Sequence, residues 1–212
     1  MSEPQKYADR VYRSGSALAG GVLLLGLAGW LGGDAIVRGE GRAPVTAVFA
    51  LLFVAPLVIA FTLRPAVFAS DERLRVRNPF RTITLPWTAV EGIRASYSSE
   101  VLAGGTKYQM WAIPVSLRQR SRATRHNEEL ASGKAPRGGL LGFGGGGLAA
   151  SQQPGGERTA PGDVAVAELR ELAERHGEGE PPEGAVTVRW SYEILAPLAV
   201  GAVALIILWL TR

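Results

Sequence analysis

Three long apolar stretches of this chain carry no charged residue, and between the second and third the pattern breaks into short alternating strands. Ser16 to Gly33, "SALAGGVLLLGLAGWLGG", covers roughly 18 residues, enough to cross a hydrocarbon core at about 1.5 Å of rise per residue. Ala43 to Leu63, "APVTAVFALLFVAPLVIAFTL", is equally uncharged, and its Pro56 is of a kind that membrane helices accommodate. Ile194 to Leu210, "ILAPLAVGAVALIILWL", is shorter, at about 17 residues near the lower bound for a span, with Trp190, Tyr192 and Trp209 at interface depths. All three are expected to span. A soluble helix apolar on every face needs a larger body of protein around it than 212 residues supply. A cleaved leader, the competing reading of the first run, would end in a small-x-small site, and none closes it. Gly20, Gly21, Gly26, Gly29, Gly32 and Gly33 leave the first helix smooth, which suits close packing on the second. That smoothness is expected to serve hairpin packing rather than dimerisation, although "GWLGG" contains one Gly-x-x-x-Gly pair, Gly29 and Gly33.

From Ala66 the period becomes two. In "AVFASDERLRVRNPF" a short apolar stretch meets a turn at Asp71-Glu72, after which Leu74 and Val76 alternate with Arg73, Arg75 and Arg77. Asn78-Pro79 is a second turn. "TITLPW" resumes with Ile83 and Leu85 on one face until Pro86 stops the ladder. Further strands are expected across Val90 to Tyr97 and along Lys107 to Leu117, where Trp111, Ile113, Val115 and Leu117 would share a face. Residues 118–161 lose every period and are rich in Arg, then in Gly, Ser, Gln and Pro; too little apolar surface is present to offset ordering, and a disordered insertion is expected. Asp163 then reads as the N-cap of "VAVAELRELAERHG", with Leu169, Leu172 and Ala173 on one face and Gly177 at its end. "EGEPPEG" is an acidic, Pro-broken linker, and "AVTVRWSY" enters the third span extended or along the interface.

The fold class expected is therefore an α+β membrane protein: an N-terminal transmembrane hairpin, an antiparallel β domain capped by one C-terminal helix, then a third transmembrane helix. Its parts are a tail at 1–15, spans at 16–33 and 43–63, a soluble domain at 64–177 containing the insertion 118–161, a linker at 178–193 and the last span at 194–210.

Charge adds an orientation. Lys6, Arg10 and Arg13 precede the first span, whereas Arg38 and Arg42 sit in the connector beside Asp34 and Glu40; Arg64, Arg73, Arg75, Arg77 and Arg81 follow the second span. Lys and Arg near span ends favour the cytoplasm, so the N-terminus and the central domain are expected inside, in a multi-pass protein of the cell membrane. The chain has 23 Lys and Arg against 19 Asp and Glu, and the modest net charge of +4 lacks the dense basic stripe of a nucleic-acid binder. Without Cys there is no disulfide or thiolate metal site.

The stretch "VRNPFRTITLPWTAVEGIRA" resembles the bacterial, commonly actinobacterial, PH-domain-containing integral membrane proteins. Val76, Asn78, Pro79, Phe80, Ile83, Pro86, Trp87, Val90 and Ile93 carry the likeness, which covers roughly residues 43–120 and loosely the helix from Asp163. The resemblance implies a partly open β barrel or bent sheet closed by the C-terminal helix, on a fold that hosts lipid, peptide and protein binding as well as plain scaffolding.

Catalytic chemistry is not expected. His126 and His176 fall in the insertion and at a helix end, where solvation is ordinary. No H-E-x-x-H, G-x-S-x-G or paired-carboxylate pattern occurs, and "GFGGGG" lacks the Lys-Ser/Thr of a phosphate loop. Neither a metal nor a cofactor is implied. The candidate contact set is Arg73, Arg75, Arg77 and Arg81: alternate residues of one strand align three guanidinium groups, and Arg81 lies just past the turn. Such a set can also simply solvate an edge strand. The basic residues Arg118, Arg120, Arg122, Arg125, Lys134 and Arg137 offer a second contact with an anionic leaflet. The function expected is a non-enzymatic scaffold at the inner face of the membrane, its partners the lipid bilayer and another membrane or cytoplasmic protein. The alternatives are an anionic-lipid sensor using the strand arginines and an accessory subunit of a transporter or envelope-synthesis complex.

Overall fold

The computed structural model of the chain describes residues 10–132, 158–177 and 185–211. In chain order the elements are β1 (Arg10–Tyr12), α1 (Gly15–Arg38), α2 (Ala43–Val58), β2 (Ala66–Ala69), β3 (Arg73–Arg77), β4 (Arg81–Pro86), β5 (Val90–Ala95), β6 (Ser99–Ala103), β7 (Thr106–Gln109), α3 (Leu117–Ala131), α4 (Pro161–Gly177), β8 (Thr187–Trp190) and α5 (Tyr192–Leu210). One π-helical turn, Ile59–Leu63, prolongs α2, and a 3-10 turn, Trp87–Ala89, joins β4 to β5.

The apolar helices α1, α2 with its π turn, and α5 run for 24, 21 and 19 residues, each long and apolar enough to cross a membrane. The chain is a multi-pass membrane protein. Pro56 has no N–H to place in the α2 ladder, and within one turn of it the helix widens, Arg64 N reaching back five residues to Ile59 O at 2.9 Å. The middle helix, α2, packs on both others. Glycines set the closeness of those contacts. A Cβ on Gly21 would collide with the Thr62 side chain, one on Gly32 would lie 2.6 Å from Leu51, and one on Gly201 of α5 would lie 2.7 Å from Phe53 N. Gly20, Gly26, Gly29 and Gly33 meet nothing, so Gly21 and Gly32, three turns apart on one face, carry the hairpin packing and the Gly29–Gly33 pair does not.

The domain consists of two antiparallel sheets, ordered β1-β2-β3-β4-β8 and β5-β6-β7. Period-two alternation sends Val67, Leu74, Val76, Ile83 and Leu85 inward from the first sheet, against Ile93, Val101 and Ala103 of the second; Val166, Leu169 and Leu172 of α4 close the core. Each Val, Leu or Ile side chain among them contributes about 1.5–3 kcal/mol when fully buried. Pro86 ends β4 opposite Arg73, and Trp87 turns inward, 1% exposed, its Nε1 donating to Ser70 O at 2.8 Å.

Sheet and spans are continuous. β1 runs into α1 across Arg13 and Ser14, the π turn runs into β2 across Arg64 and Pro65, and β8 runs into α5 across Ser191. Three of the five strands in the first sheet thus meet a span at the same end, the span end of the domain. The β2–β3 hairpin tip at Asp71 marks the opposite end.

Four expectations are corrected. Arg10–Tyr12, assigned to the tail, is an edge strand paired with β2; three residues leave no periodic signal. The strand expected over Lys107 to Leu117 stops at Gln109, and Met110, Ala112 and Ile113 fill the core from a turn rather than from a strand face. The front of the expected loop is α3, started by Ser116, whose Oγ accepts from Gln119 N at 3.3 Å; the remainder, residues 133–157, lies outside the described residues, with Lys134 and Arg137. Asp163 is not the cap of α4, which begins at Pro161; its carboxylate is held by Arg120, with Nε at 2.8 Å. The segment before the third span is extended, as β8 on β4.

Candidate functional site

The alternation that buries Leu74 and Val76 turns Arg73, Arg75 and Arg77 to the outer face of the five-stranded sheet. Register then decides their company. Arg75 lies opposite Phe68 on one side and Thr84 on the other, Arg77 lies opposite Thr82, and β8 adds Arg189 beside Thr82 and Thr187 beside Thr84. Phe68 is the centre of the group: Arg75, Arg77 and Arg13 place their guanidinium carbons 4.5, 5.9 and 6.0 Å from its ring centroid. Stacking over the ring's negative face pre-positions these cations without neutralising them. An open cleft of ≈ 480 Å³ follows the same face, floored by Thr82, Thr84 and Thr187 and walled by Arg64, Arg73, Arg75 and Arg189.

The face is short of negative charge. The Arg77 guanidinium is pulled below its ordinary range first by partial burial and then by Arg64, Arg13 and Arg75, with Glu193 opposing them. Arg81 does not join this group. It has the parity of Ile83 and Leu85, pairs with Trp190, and so falls on the other face of the sheet. Three of the four candidate arginines are brought together and the fourth is separated. Arg13, Arg189 and Phe68 complete the group; sequence spacing missed them because Arg13 follows the edge strand β1, Arg189 comes from the edge strand β8, and the register of β2 on β3 is what sets Phe68 beside Arg75.

Arg64 forms the base of the wall. Its Nε donates to Asn78 O at 3.2 Å, its Nη2 to Thr82 Oγ1 at 3.3 Å and to Ser191 Oγ, and its Nη1 pairs with Glu193 at 2.8 Å. One guanidinium thereby ties the exit of α2, the β3–β4 turn and the start of α5. Asn78 of the Asn-Pro turn, 3% exposed, continues the link to the second sheet, donating to Gln109 O at 2.7 Å and accepting from Trp111 N at 3.3 Å. Beside it Phe61 of the π turn meets Phe80 and Trp111 edge-on, centroids 5.3 and 5.5 Å apart.

Neither histidine is simply solvated. His126 is buried on α3, and its Nε2 has no partner among the described residues. His176 stacks on Trp87 at the far end of α4, 3.8 Å from Asp71. The described residues contain no cluster of His, Cys, Asp or Glu fit to hold a metal.

Tyr12 joins β1 to α4 by donating to Glu168 at 2.8 Å. Burial, and then the Glu168 carboxylate, push its phenol up to about 12. A raised pKa means that folding favours the protonated phenol. The contribution is complete below the unfolded value of about 10 and disappears as pH rises through about 12. With the half-exposed position discounted, the loss is on the order of 1 kcal/mol. Tyr12→Phe should therefore flatten the alkaline branch of the unfolding profile between those two pH values, followed by tryptophan fluorescence of the detergent-solubilised chain. An unchanged slope would remove Tyr12 as its source.

Residues 64–138 match the family model of the bacterial PH domain, from β2 through α3. No curated protein and no solved structure matches the chain. The chain thus combines a bacterial PH domain with three long apolar helices, and β1, α4 and β8, which lie outside the match, complete the domain's sheet and core.

Proposed function

We propose that this chain, like the actinobacterial membrane proteins its central motif resembles, is a non-enzymatic scaffold that presents its PH domain on the cytoplasmic side and docks an acidic segment of another protein on the outer face of the five-stranded sheet. One observation carries this reading: the arginine group around Phe68 forms a wall rather than a point. From Arg77 at the span end to Arg73 at the hairpin end the basic face rises about 13 Å along β3, taller than a headgroup lying in the plane of the leaflet. An extended acidic segment matches such a wall in length and sign, and the threonine hydroxyls supply neutral hydrogen bonds between the cations. The lipid-sensor alternative draws support only from the lowest row, Arg13, Arg64, Arg77 and Arg189.

A photo-crosslinking residue in place of Thr84 tests the site. Cells should yield a crosslinked partner whose capture is competed by a Glu- and Asp-rich peptide and lost on reversal of the Phe68-centred arginines. Capture insensitive to both would reject it. Reporter fusions after residue 150 and at the C-terminus test the placement, with a cytoplasmic signal expected from the first and an external one from the second.

A further inference from the structure

Helix α3 carries its charges in the order least favourable to itself. Arg118, Arg120 and Arg122 crowd its first turns, where the helix dipole is positive, while Glu128 and Glu129 stand near its end, where the dipole is negative. Among the described residues Arg120 alone of these three has a polar partner, through Asp163 and the carbonyls of Ala95 and Ser96 at 3.2 and 3.1 Å. At 100° per residue Leu117, Arg118, Ser121, Arg122 and Arg125 fall on one arc, and all five are exposed, whereas His126, just beyond the Arg122 edge of that arc, is buried. A cationic face that weakens its own helix is not explained by the stability of the domain.

Its position supplies the missing partner. α4 has 17 residues, about 25 Å of rise, and runs from Asp163 beside α3 to His176 beside Asp71 at the hairpin tip. The start of α3 therefore lies at the span end. The β5–β6 turn lies there too: Arg120 holds Ser96, Met110 N donates to Ser99 O at 2.7 Å, and the adjoining Trp111 meets Phe61 at the exit of α2. The tip of that turn is Tyr97, 90% exposed; Trp111 is 46% and Leu117 61% exposed. Exposed aromatics beside a basic cluster at the level of a span exit have the composition of a membrane–water interface contact.

We propose that Leu117, Arg118, Arg122 and Arg125, together with Tyr97 and Trp111, form a second contact of the domain with the anionic leaflet in which its spans sit, fixing the domain's tilt and leaving the arginine wall of the sheet free to face a protein. In the cell this rests on the proposed cytoplasmic placement. The acidic end of α3 is then carried away from the bilayer, so the contact ends at Arg125, early in the third turn.

The chain has no cysteine, so Ser121→Cys accepts a single environment-sensitive fluorophore in the full-length protein. The labelled protein is placed in nanodiscs of phosphatidylcholine alone or rich in phosphatidylglycerol; both faces of a disc are alike, so cellular orientation does not enter. Anionic discs should shift the emission to the blue and expose the dye to quenchers fixed at the lipid headgroups, and raised salt should reverse both. Replacing Arg118, Arg122 and Arg125 by Ser should lower the ratio of apposed to lifted domain on the order of a hundredfold, given about one cation's worth of attraction for each. A second label, in place of Thr84 on the sheet wall, should not respond. If the Ser121 label is equally solvated in both discs, or if the triple variant responds like the parent, the contact does not exist. A response at Thr84 alone would move lipid binding to the sheet and overturn this inference and the protein-docking reading together.

Discussion

Arg13→Glu, Arg75→Glu and Arg77→Glu combined should reduce binding of an acidic segment by on the order of a hundredfold or more. Each exposed charge pair is worth about 0.2–1 kcal/mol, and reversal replaces the attraction with a repulsion of similar size, so three sites together reach roughly 3 kcal/mol. The fold should survive, because Arg75 and Arg77 stand on the face opposite the core residues Leu74 and Val76, and Arg13 reaches the same outer face over Phe68. Titration of a fluorescent Glu-rich peptide on the detergent-solubilised chain measures the loss, and its salt dependence should fall in parallel. Arg81→Glu is the internal control. It changes the net charge in the same direction from the other face of the sheet and should leave the titration close to that of the parent. Equal losses from Arg81 and from the triple variant would mean that overall charge, not the wall, attracts the peptide.

The largest effect on stability is expected at Arg64. Arg64→Ala removes donors from Asn78 O, Thr82 Oγ1, Ser191 Oγ and Glu193, two of which belong to the buried residues Asn78 and Ser191. Glu193 is largely exposed and regains water, so the loss is set by the buried acceptors and amounts to about 3 kcal/mol. For a chain of this size that is a fall in Tm of about 10 °C. Arg64→Lys should recover little, since one ammonium cannot reach acceptors spread around a planar fork. Arg38, whose pair with Asp34 is exposed on both sides, provides the comparison: Arg38→Ala should change stability by under about 0.5 kcal/mol. If the two variants unfold together, Arg64 does not couple the domain to its spans. Protease cleavage near Ser191 should quicken in Arg64→Ala alone.

The elements differ in how openly the sequence announces them. Spans, the β2–β3–β4 meander and α4 are long or strictly periodic, and their residues decide their own environment. β1, β7 and α3 gave weaker signals. Three or four residues hold no readable period, and α3 is polar over most of its surface, held by the Arg120–Asp163 pair and by Asn127, whose amide exchanges hydrogen bonds with the Arg158 backbone at 2.7 and 3.0 Å. Contacts of that kind join segments some 30 to 40 residues apart and leave no local trace. The candidate site divides in the same way: Arg73, Arg75 and Arg77 were legible as an alternating set, while the exclusion of Arg81 depends on strand parity beyond the Asn78-Pro79 turn.

By itself the sequence determined which segments enter the membrane, which strand faces are buried and that one strand carries a row of cations, because these follow from the local order of apolar and charged residues. Tertiary structure alone decided that Arg13 joins that row over Phe68 and Arg189 joins it across the cleft, that Arg64 ties the α2 exit to the start of α5, and that Tyr97, Trp111 and the start of α3 share the span end. Those juxtapositions come from strand register and from the continuity of β1, β2 and β8 with three helices, which bring distant residues together only after the chain has closed.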